Sequence, residues 1–181
     1  MKDGATKGFV QAYNAQAAVD GHAQVIVACA LTQAAGDVEQ FVPMLEQVAT
    51  NVGQPPATVT ADAGYFSEAN LTAPQLAGSA VYVPPERLKH GPPGAPAPPP
   101  HARKSPVSEA MRDKLRTPEG RAVYALRKGI VEPVFGQIKE GRGFRRVSFR
   151  GLAKVSAEWM LICLTHNLLK LFRAPLRLQE A

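Results

Sequence analysis

The stretch Tyr124–Arg150, YALRKGIVEPVFGQIKEGRGFRRVSFR, decides how the rest of the chain is read. Ile130, Val131, Val134, Phe135 and Ile138 recur at helical spacing, which predicts a helix with that face buried. The same run carries one carboxylate, Glu132, followed by Pro133, so a helix start or bend is expected there. Tyr124, Arg127, Lys128 and Lys139 stand around the acid, and a basic loop with Arg142, Arg145, Arg146 and Arg150 follows. An acid on a packed helix ringed by cations suits a polyanion and a metal. A solvated helix with scattered charges is the plainer reading of the same residues.

The charge distribution favours the first. Residues 1–100 hold 4 Lys/Arg against 8 Asp/Glu, whereas residues 101–150 hold 13 against 5. Segregation of this kind raises the local positive potential and favours a polyanionic partner such as DNA. Anionic lipid is the rival, but the basic stretch lacks a strongly amphipathic helix. No run of apolar residues is long enough to span a bilayer, and the first residues, MKDGATKGF, have no apolar segment of a signal peptide. A cytoplasmic protein is expected. Cys29 and Cys163 sit in apolar runs without a nearby partner and read as small buried hydrophobes, not as a disulfide or zinc site.

Outward from that stretch, the chain reads as α/β. Residues 9–20 and 24–33 are expected strands, joined by Asp20-Gly21, a hairpin signal because both residues tolerate positive φ. Asp37 is the expected N-cap of a helix that ends at Gly53, with Phe41, Met44, Leu45 and Val48 on one face. Pro43 marks a kink or the true first turn of that helix. A short strand then ends on Asp62, Ala63-Gly64-Tyr65 turns, Ser67 caps a helix, and another strand follows at 80–84. This order predicts a mixed sheet. Residues 91–117 read as a proline-rich and basic linker between a sheet-containing part, 1–90, and C-terminal helices over 118–173. Thr117-Pro118 is a helix start, and Leu152, Val155, Trp159, Ile162, Leu169 and Phe172 form the expected packing face of the last helix.

Asp62 lies where ligands gather in open α/β sheets, at the C-terminal end of a strand. An Asp that merely bonds its own turn is the alternative. With Glu132, it makes a pair of acids of the kind that hold divalent metals in phosphoryl transfer.

Four motifs carry a family resemblance: Asn14–Asp20 (NAQAAVD), Ala61–Tyr65 (ADAGY), Val131–Lys139 (VEPVFGQIK) and Phe149–Leu152 (FRGL). Together they resemble the DDE-type transposases of bacterial insertion sequences, nearly end to end. The resemblance implies a ribonuclease-H-like core acting on double-stranded DNA, the ends of its element and a target. It implies Asp62 and Glu132 as the second and third catalytic acids and as ligands of Mg2+ or Mn2+. Tyr124, Arg127, Glu132 and Lys139 answer to the family's Tyr–Arg–Glu–Lys signature. Arg127 stands one residue farther from Glu132 than the signature has, and Lys128 has the expected separation, so both are candidates for the arginine's role. The family's first catalytic Asp belongs to a strand ahead of Asn14, and neither Asp20 nor Asp37 replaces it. The expectation is therefore a core truncated at its N-terminus, with little strand cleavage by this chain alone. An inactive remnant serving only DNA binding or subunit association is the alternative. A missing strand would also leave a sheet edge open to homo-oligomeric pairing or to association with intact transposase.

Overall fold

In chain order, the computed structural model has β1 (Asn14–Val19), β2 (Ile26–Thr32), α1 (Phe41–Val52), β3 (Thr58–Thr60), α2 (Glu68–Leu71), β4 (Ala80–Tyr82), α3 (Pro106–Arg116), α4 (Pro118–Gly136) and α5 (Leu152–Arg173). It describes residue 8 and residues 12–86 and 105–174. The early part of the first expected strand and the proline-rich residues 91–104 lie outside these. The chain divides into two compact units, Met1–Ala35 with Lys128–Ala181, and Gly36–Arg127. The expected mixed sheet takes the form of two separate pairs among the described residues: β1–β2 is antiparallel and β3–β4 is parallel.

In the first unit, β1 and β2 pair with Ala17 opposite Cys29, and the register slips at Ala18/Val19. Asp20 turns the chain as expected, its carboxylate accepting from the backbone of His22 (3.1 Å) and Ala23 (2.6 Å). The positive φ, however, falls on Gln24 (57°) and not on Asp20 or Gly21. Residues on one face of α5 pack on β2: Val155, Trp159, Ile162, Cys163 and His166 are buried. Ile26, Val134, Ile138, Trp159, Ile162 and Cys163 make the core, with Phe135 packed against it. Burying a side chain of this size contributes roughly 1.5–3 kcal/mol, which ties α4 and α5 to the strand pair. Polar groups are matched as well. Trp159 Nε1 donates to the Gln16 carbonyl at 3.0 Å. Asn167 both accepts from the Ile26 N–H and donates to the Ile26 carbonyl, each at 2.8 Å, so one side chain does what a neighbouring strand would do at that residue. The expected face of α5 is corrected at its ends. Leu152 and Phe172 are exposed because the helix outruns the strand pair that covers its middle.

In the second unit, Phe41, Leu45, Phe66, Leu76, Val81, Val83 and Met111 form the core. The face foreseen for α1 is the buried one, Pro43 sits in its first turn, and Gly53 ends it at φ 83°. Ser67 caps α2 by accepting from the Asn70 N–H at 3.0 Å. Residues 106–116, expected within a linker, are helical instead: Ser105 and Ser108 build a capping box, and Pro106 occupies the first turn. Thr117 starts α4 by accepting from the Gly120 N–H at 2.9 Å.

Candidate carboxylate site and nucleic-acid interface

β3 stops at Thr60, two residues before Asp62, although the Ala61 N–H still reaches the Tyr82 carbonyl at 3.2 Å. Asp62 then leads a single 3-10 turn, Ala63–Tyr65, and its Oδ1 accepts from the Gly64 N–H at 2.8 Å. The turn-forming role is thus real, and it leaves Oδ2 outside that bond. Asp37 does not cap its helix through its side chain. Its carboxylate lies instead beside Gly64, near the position a Cβ would take there. A Cβ built on Gly64 would stand 2.9 Å from Asp62 Oδ1 and 3.0 Å from Asp37 Oδ2. A glycine here lets two carboxylates flank one backbone position. Asp37 does hold an N-cap position, but of the 3-10 turn Val38–Gln40 that leads into α1, and through its backbone carbonyl, which accepts from the Gln40 N–H at 2.9 Å.

Tyr124 and Arg127 belong to the same unit as Asp62. They are one turn apart on α4, with the guanidinium 5.7 Å from the ring centre. Burial pushes the Tyr124 phenol above its ordinary range; Arg127 opposes that rise by its charge and a hydrogen bond, and the Asp62 carboxylate adds to it. Arg127 Nε is buried without a hydrogen-bond partner among the described residues. A buried cationic donor left without a protein partner is suited to an anionic acceptor.

Lys128 opens the first unit's share of α4 and is exposed, one turn before Glu132, which is also exposed. Val134 and Ile138 bury the opposite side. Pro133 lies inside the helix and has no N–H for the Gly129 carbonyl; that carbonyl accepts from Gln24 Nε2 at 2.9 Å. After α4 the chain widens into a π turn, Gln137–Gly141, closed by Arg142 N–H on the Gln137 carbonyl at 2.9 Å.

The arginine loop is not uniform. Arg142 turns inward onto α5, donating to the Ile162 carbonyl at 3.1 Å and to Thr165, with Phe144 5.0 Å away. Arg145 pairs with Glu140 at the surface. Arg146 and Arg150 are exposed, and no ion pair engages them among the described residues. Lys139 is exposed above the Phe135 ring, 5.4 Å from its centre. Glu158 holds the loop down by accepting from the N–H groups of Ser148 (2.8 Å) and Phe149 (3.2 Å). The Ser148 bond, with help from Phe149, keeps the Glu158 carboxyl below its ordinary range. A cavity of about 670 Å³ in this unit has Lys139 and Arg146 at its edge and Tyr13, Phe135 and Trp159 among its walls. Sequence reasoning gives Tyr13 no role, and it reads Asp37 as a helix cap without its approach to Gly64. The one signal for Tyr13 is its place directly before the Asn14–Asp20 motif.

Asp62 thus follows a strand end in the second unit, and Glu132 lies on a helix in the first, which also carries exposed basic groups. Residues 2–168 match the transposase DDE domain, and the chain belongs to that family. No curated protein and no solved structure gives a match. No helix among the described residues is long and apolar enough to cross a membrane.

Proposed function

We propose that this chain serves DNA transposition, binding the end DNA of an insertion sequence and, within the full enzyme, taking part in metal-dependent strand cleavage and transfer. The setting of Asp62 carries the reading. It follows a parallel strand pair, keeps Oδ2 outside its own turn, and bears on the Tyr124 phenol, whose neighbour Arg127 has an Nε without a protein partner among the described residues. Family membership agrees with it.

Hard carboxylate oxygens fit magnesium or manganese. Asp62 in the second unit and Glu132 in the first are each proposed as metal ligands. Among the described residues no three His, Cys, Asp or Glu side chains already form a metal cluster. Bound magnesium would supply Lewis acidity toward a phosphoryl oxygen. The chain's own part is to hold the phosphates. Lys139, Arg146 and Arg150 offer exposed charge to the DNA backbone, and Arg127 offers a buried donor. Lys128, exposed one turn from Glu132, is the candidate for a phosphate contact there. Arg142 and Arg145 belong to the same basic loop, with their primary contacts inside the protein. A cytoplasmic site of action, on the bacterial nucleoid, follows from the same reading.

The test is nicking of end-sequence DNA in Mg2+ or Mn2+, with Asp62→Asn and Glu132→Gln as controls. Activity lost in both variants supports the reading. Salt-sensitive DNA binding without nicking selects the alternative, a remnant that only binds DNA or associates with transposase subunits. Absence of both binding and nicking overturns it.

A further inference from the structure

We propose that Cys29 and Cys163 form an oxidation site that closes to an intramolecular disulfide joining β2 to α5. The sequence separates these residues widely and offers no hint of a pair. The fold brings both into one apolar cluster, Cys163 within it and Cys29 packed against it, where each thiol perturbs the other. They are the only two cysteines of the chain, so no third thiol competes for either.

Their surroundings differ in a way that gives each its own part in the chemistry. Cys29, opposite Ala17 near the middle of β2, is partly exposed and within reach of a small oxidant. Cys163 is 3% exposed, enclosed by the core. The hydrogen bond from Cys163 lowers the Cys29 thiol to about 7, against the opposing effect of burial. The same hydrogen bond, with burial, pushes Cys163 up, and only the Arg142 guanidinium works against that rise. Arg142 sits at this site because it is hooked to Ile162 and Thr165, on either side of Cys163 along α5.

A hydroperoxide is the oxidant. The Cys29 thiolate attacks one peroxide oxygen, the O–O bond breaks, and Cys29 becomes a sulfenic acid as the other oxygen leaves and takes a proton. The Cys163 sulfur then attacks the sulfenic sulfur. The S–O bond breaks, the S–S bond forms, and the oxygen leaves as water with the proton from Cys163. Two thiols supply the two electrons; with hydrogen peroxide, the products are one disulfide and two waters. Closure must bring the sulfurs to about 2 Å, so α5 draws toward β2 at Cys163. The bond encloses the entire second unit, Gly36–Arg127, in one covalent loop, and long loops constrain the unfolded chain most.

The experiment treats the full chain, folded and reduced, with hydrogen peroxide, then titrates thiols in denaturant and maps peptides by mass spectrometry. Both thiols should disappear together, the Cys29 and Cys163 peptides should be linked within one chain, and dithiothreitol should restore both. The oxidised chain should melt at a higher temperature. In Cys163→Ser, dimedone should trap Cys29 as the sulfenic acid; the wild-type mapping stands by itself if that variant does not fold. Persistence of both thiols overturns the proposal. So does a Cys29 sulfinic acid beside a reduced Cys163, or a bond formed between chains.

Discussion

Gln24 donates its side-chain amide to the carbonyl of Gly129 at 2.9 Å, the carbonyl that Pro133 would otherwise have served with an N–H. A residue of the hairpin turn therefore repairs the helix that carries Glu132. Two further bonds hold Gln24 in place. Its Oε1 accepts from Lys170 Nζ at 2.8 Å, and its backbone carbonyl lies 3.0 Å from His166 Nε2 and accepts from it. Its φ of 57° is one that side-chain-bearing residues seldom adopt, and three hydrogen bonds outweigh that cost.

Gln24→Ala should destabilise the protein by roughly 1–3 kcal/mol, since two polar partners lose their mate. Pro133→Ala supplies the missing N–H, so the same Gln24 change should cost less in that background. A double-mutant cycle by urea unfolding measures the difference. Additive effects would show that the two residues do not share the Gly129 carbonyl.

Gly64→Ala should disturb the Asp62 turn, because its Cβ would sit 2.9 Å from one carboxylate oxygen and 3.0 Å from another. We expect a lower melting temperature and loss of any magnesium-induced change in Tyr124 fluorescence or absorbance. Asp37→Ala in the same chain should recover part of the melting temperature by removing one of the two close approaches. No recovery would mean that the Asp62 side is the whole of the clash.

The arginine loop should loosen in acid. Glu158 has a lowered folded-state value, so its contribution is present above the unfolded carboxyl value of about 4.3 and is lost as pH falls through the folded value. Amide exchange at Ser148 and Phe149 should therefore rise at low pH. Glu158→Gln should raise it at neutral pH as well and flatten the acid response. An unchanged acid response in that variant would assign the loosening elsewhere.

The arginines should separate by assay. Arg146→Ala and Arg150→Ala should weaken DNA binding and reduce the salt slope by about 0.9 for each phosphate no longer neutralised, with little effect on melting. Arg142→Ala should lower the melting temperature, because its guanidinium serves Ile162 and Thr165. Equal effects of all three on salt slope would place Arg142 on the DNA.

Local chemistry explains what could be read directly. The apolar faces of α1 and α4, the Ser67 and Thr117 caps, the Asp20 turn and the family motifs depend on residues a few positions apart, where spacing and side-chain type act without help. Membership of the transposase DDE family was legible in the same motifs. Asp62's bond to the Gly64 N–H is local too.

Tertiary structure decided what depends on distant partners. Asp37 holds its cap position through the backbone, while the fold sets its carboxylate beside Gly64 in the Asp62 turn. Arg142 was one of four loop arginines until α5 offered a carbonyl and a hydroxyl at the right separation. The positive φ moved to Gln24 because Gly129, His166 and Lys170 all converge there, from 105 to 146 residues away in the chain. Two isolated cysteines became a pair once α5 packed on β2. In each case the side chain had several low-energy uses of similar strength, and only the packing of remote elements selected one.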